Sequence, residues 1–463
     1  MDSVRQELRP AAVELAMSDQ AMAPGRVFLV GAGPGDPGLL TQRALELMHH
    51  CDVICYDLLV SDAILAQIPQ GKTLIPVGYR GYCGTSIEYG MHPDVVAQAL
   101  AGHEVLRLKA GDPFIFGRGT EECLCLQYHG IDYQVIPGIS ASLGAAAYTG
   151  FPLTSNGMAS DVTFASGHKA STTISNWAAL GQGSGTLVLY MGAKKIALHA
   201  QELISQGKPA DTPLAVIAAA TSTRHRVMHS TLAKAGQEIA EFDNGDPMLV
   251  VIGDVVTLAD KLDWRSKLPL SGVQILACTE HRQLIEPLKL AGAIVIEPVT
   301  RHVTLDIEDG LWQQLMSQFA LHLMDRTSAE ALLAACRHRR LDLRDLPWAL
   351  TAEGDGVTLL AEQGVFVESA AQEGAMVIQQ HTKGVAINYD YDPVNSAIKP
   401  ASRVLVDDCH SLIFLISNQL LATKAVVMSQ CTEVLELAQE LGFVAESMAN
   451  HDECAEKGLQ SVA

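Results

Sequence analysis

Short apolar runs alternate with amphipathic stretches from Arg26 onward. The segment Gly38–His50 carries its apolar residues at helical spacing, and either Asp36 or Thr41 can cap the helix it predicts. Alternation of this kind predicts an α/β protein with largely parallel sheets. The runs with the length of strands are residues 27–33, 52–57, 73–78, 103–111, 133–138, 186–192, 213–220 and 247–256.

The alternation pauses at Asp263–Gly272, a charged segment with a proline, and then restarts. Two later blocks, residues 346–369 and 423–447, share the order strand, turn, helix, strand, which predicts two similar lobes. The polar residues after 449 form a tail. The domains predicted from this organisation are an N-terminal extension (1–25), a first domain (26–264) and a second domain (265–463).

Composition narrows the possible partners of this 463-residue chain. The formal net charge of −20 disfavours nucleic acid and anionic membrane surfaces as partners. No stretch of about 18 apolar residues predicts a transmembrane helix, and residues 1–24 hold no apolar signal segment. The ten cysteines are scattered, and Cys123 and Cys125 have the wrong spacing for one helix face. We therefore expect reduced thiols, no metal site and a cytoplasmic location.

The first strand ends in a glycine-rich loop, VFLVGAGPGDP, of a kind that often holds a phosphate. Here Pro34 removes an amide N–H, and Asp36 adds negative charge where a pyrophosphate would lie. These residues alone leave two interpretations of the loop open: it binds a ligand without phosphate, or it is a plain tight turn with no ligand.

Further motifs extend this pattern through residues 107–122 (RLKAGDPFIFGRGTEE), 135–154 (VIPGISASLGAAAYTGFPLT) and 186–192 (TLVLYMG). Together with VGAGPGDPGLLTQRAL and CYDLLVSD, they resemble the uroporphyrinogen-III C-methyltransferases of the tetrapyrrole methylase family, from about Arg26 to Trp264. The resemblance implies a two-lobed tetrapyrrole methylase fold, with S-adenosyl-L-methionine folded between the lobes. It also implies C-methylation of a small-molecule tetrapyrrole, uroporphyrinogen III, to precorrin-2 in the siroheme and cobalamin branch. We expect a homodimer.

The resemblance also implies roles for single residues. It makes Asp57 the proton acceptor, directs Arg118 and Glu121 toward the substrate, and leaves Tyr79 to donate a proton where the family has lysine. Small residues would let the backbone approach the cofactor. The cofactor-binding residues that it implies are Pro34, Ala110, Gly111, Asp112, Ile115, Phe116, Ser140, Ala141, Met191 and Ala220.

The departures from the family pattern cluster on the substrate side. Leu58 stands where the family has arginine, and residues 155–157 (Ser-Asn-Gly) replace a basic pair and an acid. Alanine replaces the usual glycine at Ala110 and Ala220, which a negative φ would tolerate. Three functions therefore stay open: methylation of uroporphyrinogen III, methylation of another substrate, and non-catalytic binding of the cofactor or a tetrapyrrole. Replacement cations are available in Arg80, His168, Lys169, Arg224 and Arg226.

The second half resembles a degenerate uroporphyrinogen-III synthase, through its joining segment KLPLSGVQILACTEHRQ and LDLRDLP before a strand. It implies a two-lobed α/β synthase-like domain. Two turns that hold the substrate's carboxylates in that family are changed here, at residues 324–329 and 414–417. We therefore expect no cyclisation of hydroxymethylbilane.

Overall fold

A computed structural model describes most of the chain. Contacts divide the chain into two units, one of Met1–Pro298 with Asn395–Ala463 and one of Val299–Val394. The residues described are 23–69, 71–78, 90–167, 177–279, 282–297, 301–372, 374–379, 382–383, 385–391 and 398–448. Tyr79, Arg80, His168, Lys169, most of the N-terminal extension and the C-terminal tail lie outside them.

The first lobe is built on a parallel sheet. Its strands are β1 (Val27–Gly31), β2 (Val53–Asp57), β3 (Thr73–Gly78), β4 (Val105–Lys109) and β5 (Tyr133–Ile136). They lie in the order β3-β2-β4-β1-β5. Its helices are α1 (Gln42–His50), α2 (Asp62–Leu65), α3 (Pro93–Leu100) and α4 (Gly119–Tyr128). Separate apolar clusters cover the two faces of the sheet, as expected for parallel strands buried on both sides.

The two candidate caps of the first helix serve two different helices. The Thr41 hydroxyl accepts from the Ala44 amide at 3.1 Å and begins α1. The Asp36 carboxylate accepts from the Gly38 amide at 2.8 Å and begins a short 3-10 helix over Pro37–Leu39. The segment 38–50 is therefore divided at Leu40.

The second lobe is built on a mixed sheet. Its strands are β6 (Val162–Ser166), β7 (Thr186–Tyr190), β8 (Pro213–Ala218), β9 (Arg226–Thr231) and β10 (Met248–Ile252). They lie in the order β6-β7-β10-β8-β9, and only β6 and β7 pair in parallel. Its helices are α5 (Ala141–Thr149), α6 (Trp177–Gln182), α7 (Ile196–Ser205), α8 (Ala235–Phe242) and α9 (Ala259–Leu262).

The expectation of largely parallel pairing is wrong for this second sheet. Residues 219–225 join β8 to β9 and are too short for the crossover that a parallel pair needs. The apolar pattern also missed β6 and β9. Both are only partly buried and carry Ser, Thr or His, so they form no continuous apolar run.

Beyond the second lobe the chain forms three further sheets. The strands are β11 (Gln274–Cys278), β12 (Ile294–Ile296), β13 (Arg301–Ile307), β14 (Ala320–Leu323), β15 (Ala349–Ala352), β16 (Met376–Ile378), β17 (Val385–Tyr391), β18 (Ala401–Val406), β19 (Leu421–Ser429) and β20 (Val444–Ser447). Parallel sheets have the orders β12-β11-β18-β19-β20 and β15-β14-β16, while β13 and β17 pair antiparallel. The helices are α10 (Arg282–Leu290), α11 (Asp309–Met316), α12 (Arg326–His338), α13 (Asp355–Glu362), α14 (Cys409–Ser417) and α15 (Thr432–Glu440).

Two α/β sheets in the second half agree with the two lobes predicted there, while the likeness to a synthase stays a prediction. The turn predicted at residues 414–417 is wrong, because these residues form the last turn of α14. Their apolar run does not distinguish a buried helix from a strand end. At residues 324–329, Asp325 caps α12 through the Ser328 amide at 2.7 Å. The domain boundaries also stay a prediction.

Candidate active site

Three turns interlock at the carboxyl ends of β4, β1 and β5. The backbones of Gly33 and Gly111 exchange hydrogen bonds of 3.1 and 2.8 Å. A Cβ on Gly31 would lie 2.5 Å from the Gly138 nitrogen and 2.6 Å from the Gly111 oxygen. Only glycine fits such an approach, so the glycine-rich loop packs against its neighbouring turns. Open α/β sheets bind ligands at this edge.

Asp112 joins two of these turns. Its Oδ1 accepts from the Phe114 amide at 2.9 Å, and its Oδ2 accepts from the Gly138 amide at 3.1 Å. The carboxylate thereby fixes the turn after β4 against the turn after β5. The structure shows a positioning role for Asp112, and direct contact with a ligand stays a prediction.

The loop that contains Pro34 is tied to the second lobe through Asp36. The Asp36 amide donates to Thr221 Oγ1 at 3.0 Å, and the Tyr148 hydroxyl donates to Asp36 Oδ2 at 2.7 Å. Burial, and then the Asp36 carboxylate, raise the pKa of Tyr148, so its hydroxyl remains a donor. The Asp36 carboxylate is thus fixed in the turn, where a phosphate would meet its negative charge.

The second lobe contributes turns whose backbone is left-handed without glycine. Met191, Ala219 and Thr221 have φ of 56°, 47° and 63°. Such conformations cost about 1–3 kcal/mol each and concentrate at functional sites. Ala110 and Ala220 keep negative φ, which is the condition for alanine to replace glycine there.

Tyr190, which the sequence analysis did not single out, connects several of the predicted residues. Its hydroxyl lies 2.6 Å from Ser140 Oγ and donates to Ser142 Oγ at 2.8 Å. Its ring centroid lies 4.8 Å from that of Phe116. Ser140 begins α5, so Tyr190 fixes the first turn of that helix, which contains Ala141, against the end of β7. In the sequence, Tyr190 could have been found as the tyrosine that ends an otherwise apolar strand.

His225 supports the strained turn at Thr221. Its Nδ1 accepts from the Thr221 amide at 3.2 Å. Burial, and then the Arg265 guanidinium, lower the pKa of His225 to about 4, so the ring is neutral at pH 7. Arg265 donates to the Ser222 oxygen at 3.2 Å and lies over the Tyr148 ring at 5.0 Å. The turn is thus held by neutral hydrogen bonds on one side and a cation on the other.

Asp57, the predicted proton acceptor, ends β2 beside Arg107. An Arg107 guanidinium nitrogen lies 2.6 Å from Asp57 Oδ1. Burial alone would raise the pKa of Asp57, but Arg107 and Lys109 outweigh it and lower that pKa. Asp57 is therefore ionised at pH 7. Sequence reasoning missed Arg107, although a charged residue within an apolar strand was a usable signal.

Arg118 and Glu121 lie together at the start of α4. Arg118 Nε is 3.9 Å from Glu121 Oε1, and their side chains are 44% and 45% exposed. Two of the candidate replacement cations are engaged elsewhere: Arg224 pairs with Asp246 at 2.6 Å, and Arg226 lies over the Phe242 ring at 4.7 Å.

Metal-binding clusters and membrane-spanning helices are both absent from the described residues. Within these residues, no cluster of three or more His, Cys, Asp or Glu side chains is arranged for a metal ion. In the same part of the chain, no helix is both long enough and apolar enough to cross a membrane.

A parallel sheet with interlocked glycine turns, tied to a mixed sheet with strained turns, defines a two-lobed α/β protein with a small-molecule site. Residues 26–236 match the family described as Tetrapyrrole (Corrin/Porphyrin) Methylases. This part of the chain belongs to that family.

Curated relatives and a solved structure are similar to about half of the chain. A siroheme synthase of Pseudomonas fluorescens (strain SBW25) is 47% identical over 243 residues, which are 52% of each chain. A siroheme synthase of Chromobacterium violaceum is 42% identical over 252 residues, 54% of each chain. The chain thus spans about half the length of the curated relatives it matches. A uroporphyrin-III C-methyltransferase structure from Thermus thermophilus, complexed with S-adenyl homocysteine, is 34% identical. The match covers 50% of this chain and 99% of that chain, with a TM-score of 0.43.

Proposed function

We propose that residues 26–264 transfer two methyl groups, one at a time, from S-adenosylmethionine to ring carbons of uroporphyrinogen III, giving precorrin-2. Family membership and the identity to siroheme synthases support the reaction class. The observation that carries the proposal is Asp57, held ionised by Arg107 at the carboxyl edge of the sheet where the glycine turns meet. Methyl transfer to a substituted ring carbon leaves the substrate cationic, and loss of a proton from a neighbouring position restores neutrality; an ionised carboxylate can accept that proton.

The residues at the candidate cofactor site fit a cationic sulfonium better than a phosphate. Pro34 offers no amide donor, and the Asp36 amide already donates to Thr221. The fixed Asp36 carboxylate favours a positive ligand electrostatically. Phe116 and Met191 are 42% and 51% exposed, leaving apolar surface for contact. When bound, S-adenosylmethionine would supply the methyl group.

The chain's own residues then have separate tasks. Asp57 accepts the proton that the cationic, methylated substrate loses from a neighbouring position. Arg118 can bind a substrate carboxylate through its planar guanidinium, with Glu121 beside it. Ser140 and Asp112 fix the turns around the cofactor rather than reacting.

A second candidate is methylation of a less acidic substrate by the same fold. Leu58 directly follows Asp57, and its side chain is 50% exposed; Leu59 is 40% exposed. Exposed leucines beside a proton acceptor suit an apolar substituent better than a carboxylate. This observation favours a substrate with fewer carboxylates than uroporphyrinogen III.

The test is anaerobic incubation of the protein with methyl-labelled S-adenosylmethionine and uroporphyrinogen III. Two labelled methyl groups in a product with the mass of precorrin-2 would support the first candidate. Cofactor binding by calorimetry without transfer to uroporphyrinogen III, but with transfer to a less carboxylated tetrapyrrole, would support the second. No binding of S-adenosylhomocysteine at millimolar concentration would contradict both.

We further propose that the second half is a synthase-like domain that does not cyclise hydroxymethylbilane, and that the chain forms a homodimer. Formation of the type III isomer by the full chain would contradict the first of these proposals. A monomeric mass in sedimentation would contradict the second.

A further inference from the structure

Four charged side chains form a continuous buried chain that begins at Asp57. Arg107 contacts Asp57 Oδ1 at 2.6 Å and Glu122 Oε1 at 2.9 Å. Lys109 Nζ lies 2.8 Å from Glu122 Oε2, close enough for an ion pair although not aligned as a hydrogen bond. The formal charges sum to zero. Asp57 is 19% exposed and the other three are 4–7% exposed, so Asp57 is the end of the chain nearest solvent.

The strand pattern explains how these charges meet. Arg107 and Lys109 are two apart on β4 and therefore lie on one face of the sheet. On the neighbouring strand, Cys55 pairs with Arg107 in register, and Asp57 is two residues further along the same face. Glu122 reaches this face from α4. The charges thus occupy the carboxyl end of a face whose earlier rows are apolar.

The Arg107 guanidinium is fixed from several directions. Its Nε donates to Glu122 Oε1 at 3.0 Å, and one terminal nitrogen donates to the Leu108 oxygen at 3.2 Å. The other terminal nitrogen is therefore directed at Asp57. A planar guanidinium can make these contacts together, whereas an ammonium cannot reproduce their geometry.

We propose that Arg107 is a positioning residue for proton acceptance by Asp57, with Glu122 and Lys109 holding its guanidinium in place. This inference rests on the proposed function. In the step concerned, methylation has left the substrate cationic; a C–H bond next to the methylated ring breaks, its electron pair neutralises the ring system, and an O–H bond forms on Asp57. Arg107 orients the carboxylate for that step and keeps it ionised beforehand.

The charged groups around Asp57 support this assignment. Arg107 and Lys109 face it from β4, and Glu122 from α4 balances them. From β3, the Gly78 backbone lies close to the carboxylate: a Cβ built there would lie 2.9 Å from Asp57 Oδ1. Within the described residues, Arg107 is the cation in direct contact with the carboxylate.

The experiment compares Arg107→Gln, Arg107→Lys and Glu122→Gln in the full chain, with Arg43→Gln as the matched control. Arg43 pairs with Glu46 on the exposed face of α1. The Asp57 carboxyl is titrated by NMR in protein with carbon-13-labelled aspartate, and Asp57→Asn identifies its signal. The pH profile of methyl transfer is recorded for each variant.

In Arg107→Gln we expect the Asp57 pKa and the acid limb of the pH profile to rise together by at least about one unit. Methyl transfer should fall at least tenfold, while the Kd for S-adenosylhomocysteine changes less than twofold. In Arg107→Lys, the Asp57 pKa should return closer to its wild-type value than the methyl-transfer rate does, because lysine supplies the positive charge without the planar geometry. Glu122→Gln should not raise the Asp57 pKa, since it removes a negative charge.

An unchanged Asp57 titration in folded Arg107→Gln would overturn the inference. If that variant does not fold, equal rates and titrations in wild type and Arg107→Lys would overturn it. If wild type transfers no methyl group, the proposed function fails, while the NMR titration still tests whether Arg107 controls Asp57.

Discussion

The two sides of the candidate site are built by different means. On the first lobe, glycine turns interlock through their backbones, and charged side chains pair beside them. On the second lobe, neutral side chains fix the turns: His225 accepts from the amide of the left-handed Thr221, and Tyr190 donates to Ser142 in the first turn of α5. Left-handed residues other than glycine occur on both lobes, with Phe116 and Arg118 on the first. The lobes differ in their side-chain contacts, which are ion pairs on the first lobe and neutral hydrogen bonds on the second.

The difference separates two requirements of the proposed reaction. Proton acceptance needs a carboxylate whose charge is controlled, and ionic contacts in a poorly solvated place provide that control. Cofactor placement needs fixed turns, for which neutral hydrogen bonds suffice. We therefore expect changes at the ion pairs to alter the chemistry, and changes at the fixed turns of either lobe to alter stability or cofactor binding.

The largest expected effect is on the interlocked turns. In Gly31→Ala the new methyl group would meet the backbones of Gly138 and Gly111, which cannot move without separating the turns. We expect a loss of about 3 kcal/mol or more in unfolding free energy, together with loss of cofactor binding. Gly310→Ala is the control, because a Cβ there meets no atom within 4 Å. Denaturant unfolding and calorimetry measure both; equal stability of Gly31→Ala and wild type would contradict the packing argument.

The next effect concerns pH. The pKa of His225 is lowered from 6.5 to about 4 in the folded protein, so folding disfavours its protonation. The neutral ring therefore contributes fully to the unfolding free energy above pH 6.5. This contribution is lost as the pH falls toward 4, with about 2 kcal/mol lost by pH 5. His225→Asn can keep an acceptor for the Thr221 amide without titrating. Measured by urea unfolding from pH 7 to 4.5, the unfolding free energy should fall less in the variant than in wild type. If it changes equally with pH in both proteins, His225 is not the cause of the acid sensitivity.

Asp57 should affect the stability of the protein in a separate and lower range of pH. Because its folded pKa is lowered below 3.8, its contribution is complete above the unfolded pKa and is lost as pH falls further. The two lobes therefore respond to acid at different pH.

A smaller effect is expected at the contact between the lobes. Thr221→Val removes the acceptor of the Asp36 amide while keeping the side-chain shape. We expect a loss of about 1–2 kcal/mol in unfolding free energy and weaker binding of S-adenosylhomocysteine. Thr257→Val is the control, since its hydroxyl donates to the Asp254 oxygen in an exposed turn. Equal affinity in wild type and Thr221→Val would show that this contact does not position the cofactor loop.

The smallest effect tests backbone strain. Ala219→Gly removes the strain of alanine in a left-handed backbone. The resulting gain of about 1–2 kcal/mol in unfolding free energy offsets the entropy cost of glycine. Ala220→Gly, at negative φ, gains no such relief and should lose about 0.5–1 kcal/mol. Thermal unfolding of the two variants should differ in this direction. If both lose the same stability, the strain at Ala219 contributes nothing.

Sequence reasoning reached the parallel first lobe because β1, β2 and β4 are apolar runs between helical patterns. It failed on the pairing in the second lobe, where the short β8–β9 connection outweighed the alternation of elements. It also chose Asp57 without Arg107, since contact between them depends on strand order, which periodicity does not specify. Tyr190 was missed for the same reason: its partners on α5 are about fifty residues away in sequence.

The central claim is that Asp57 accepts the proton while the fixed turns of both lobes hold the cofactor. Single-turnover methyl transfer to uroporphyrinogen III at saturating S-adenosylmethionine tests it directly, with wild type and Asp57→Asn side by side. We predict a rate about 10²–10⁴-fold lower in Asp57→Asn, with an unchanged Kd for S-adenosylhomocysteine. Equal transfer rates in the two proteins would contradict the account.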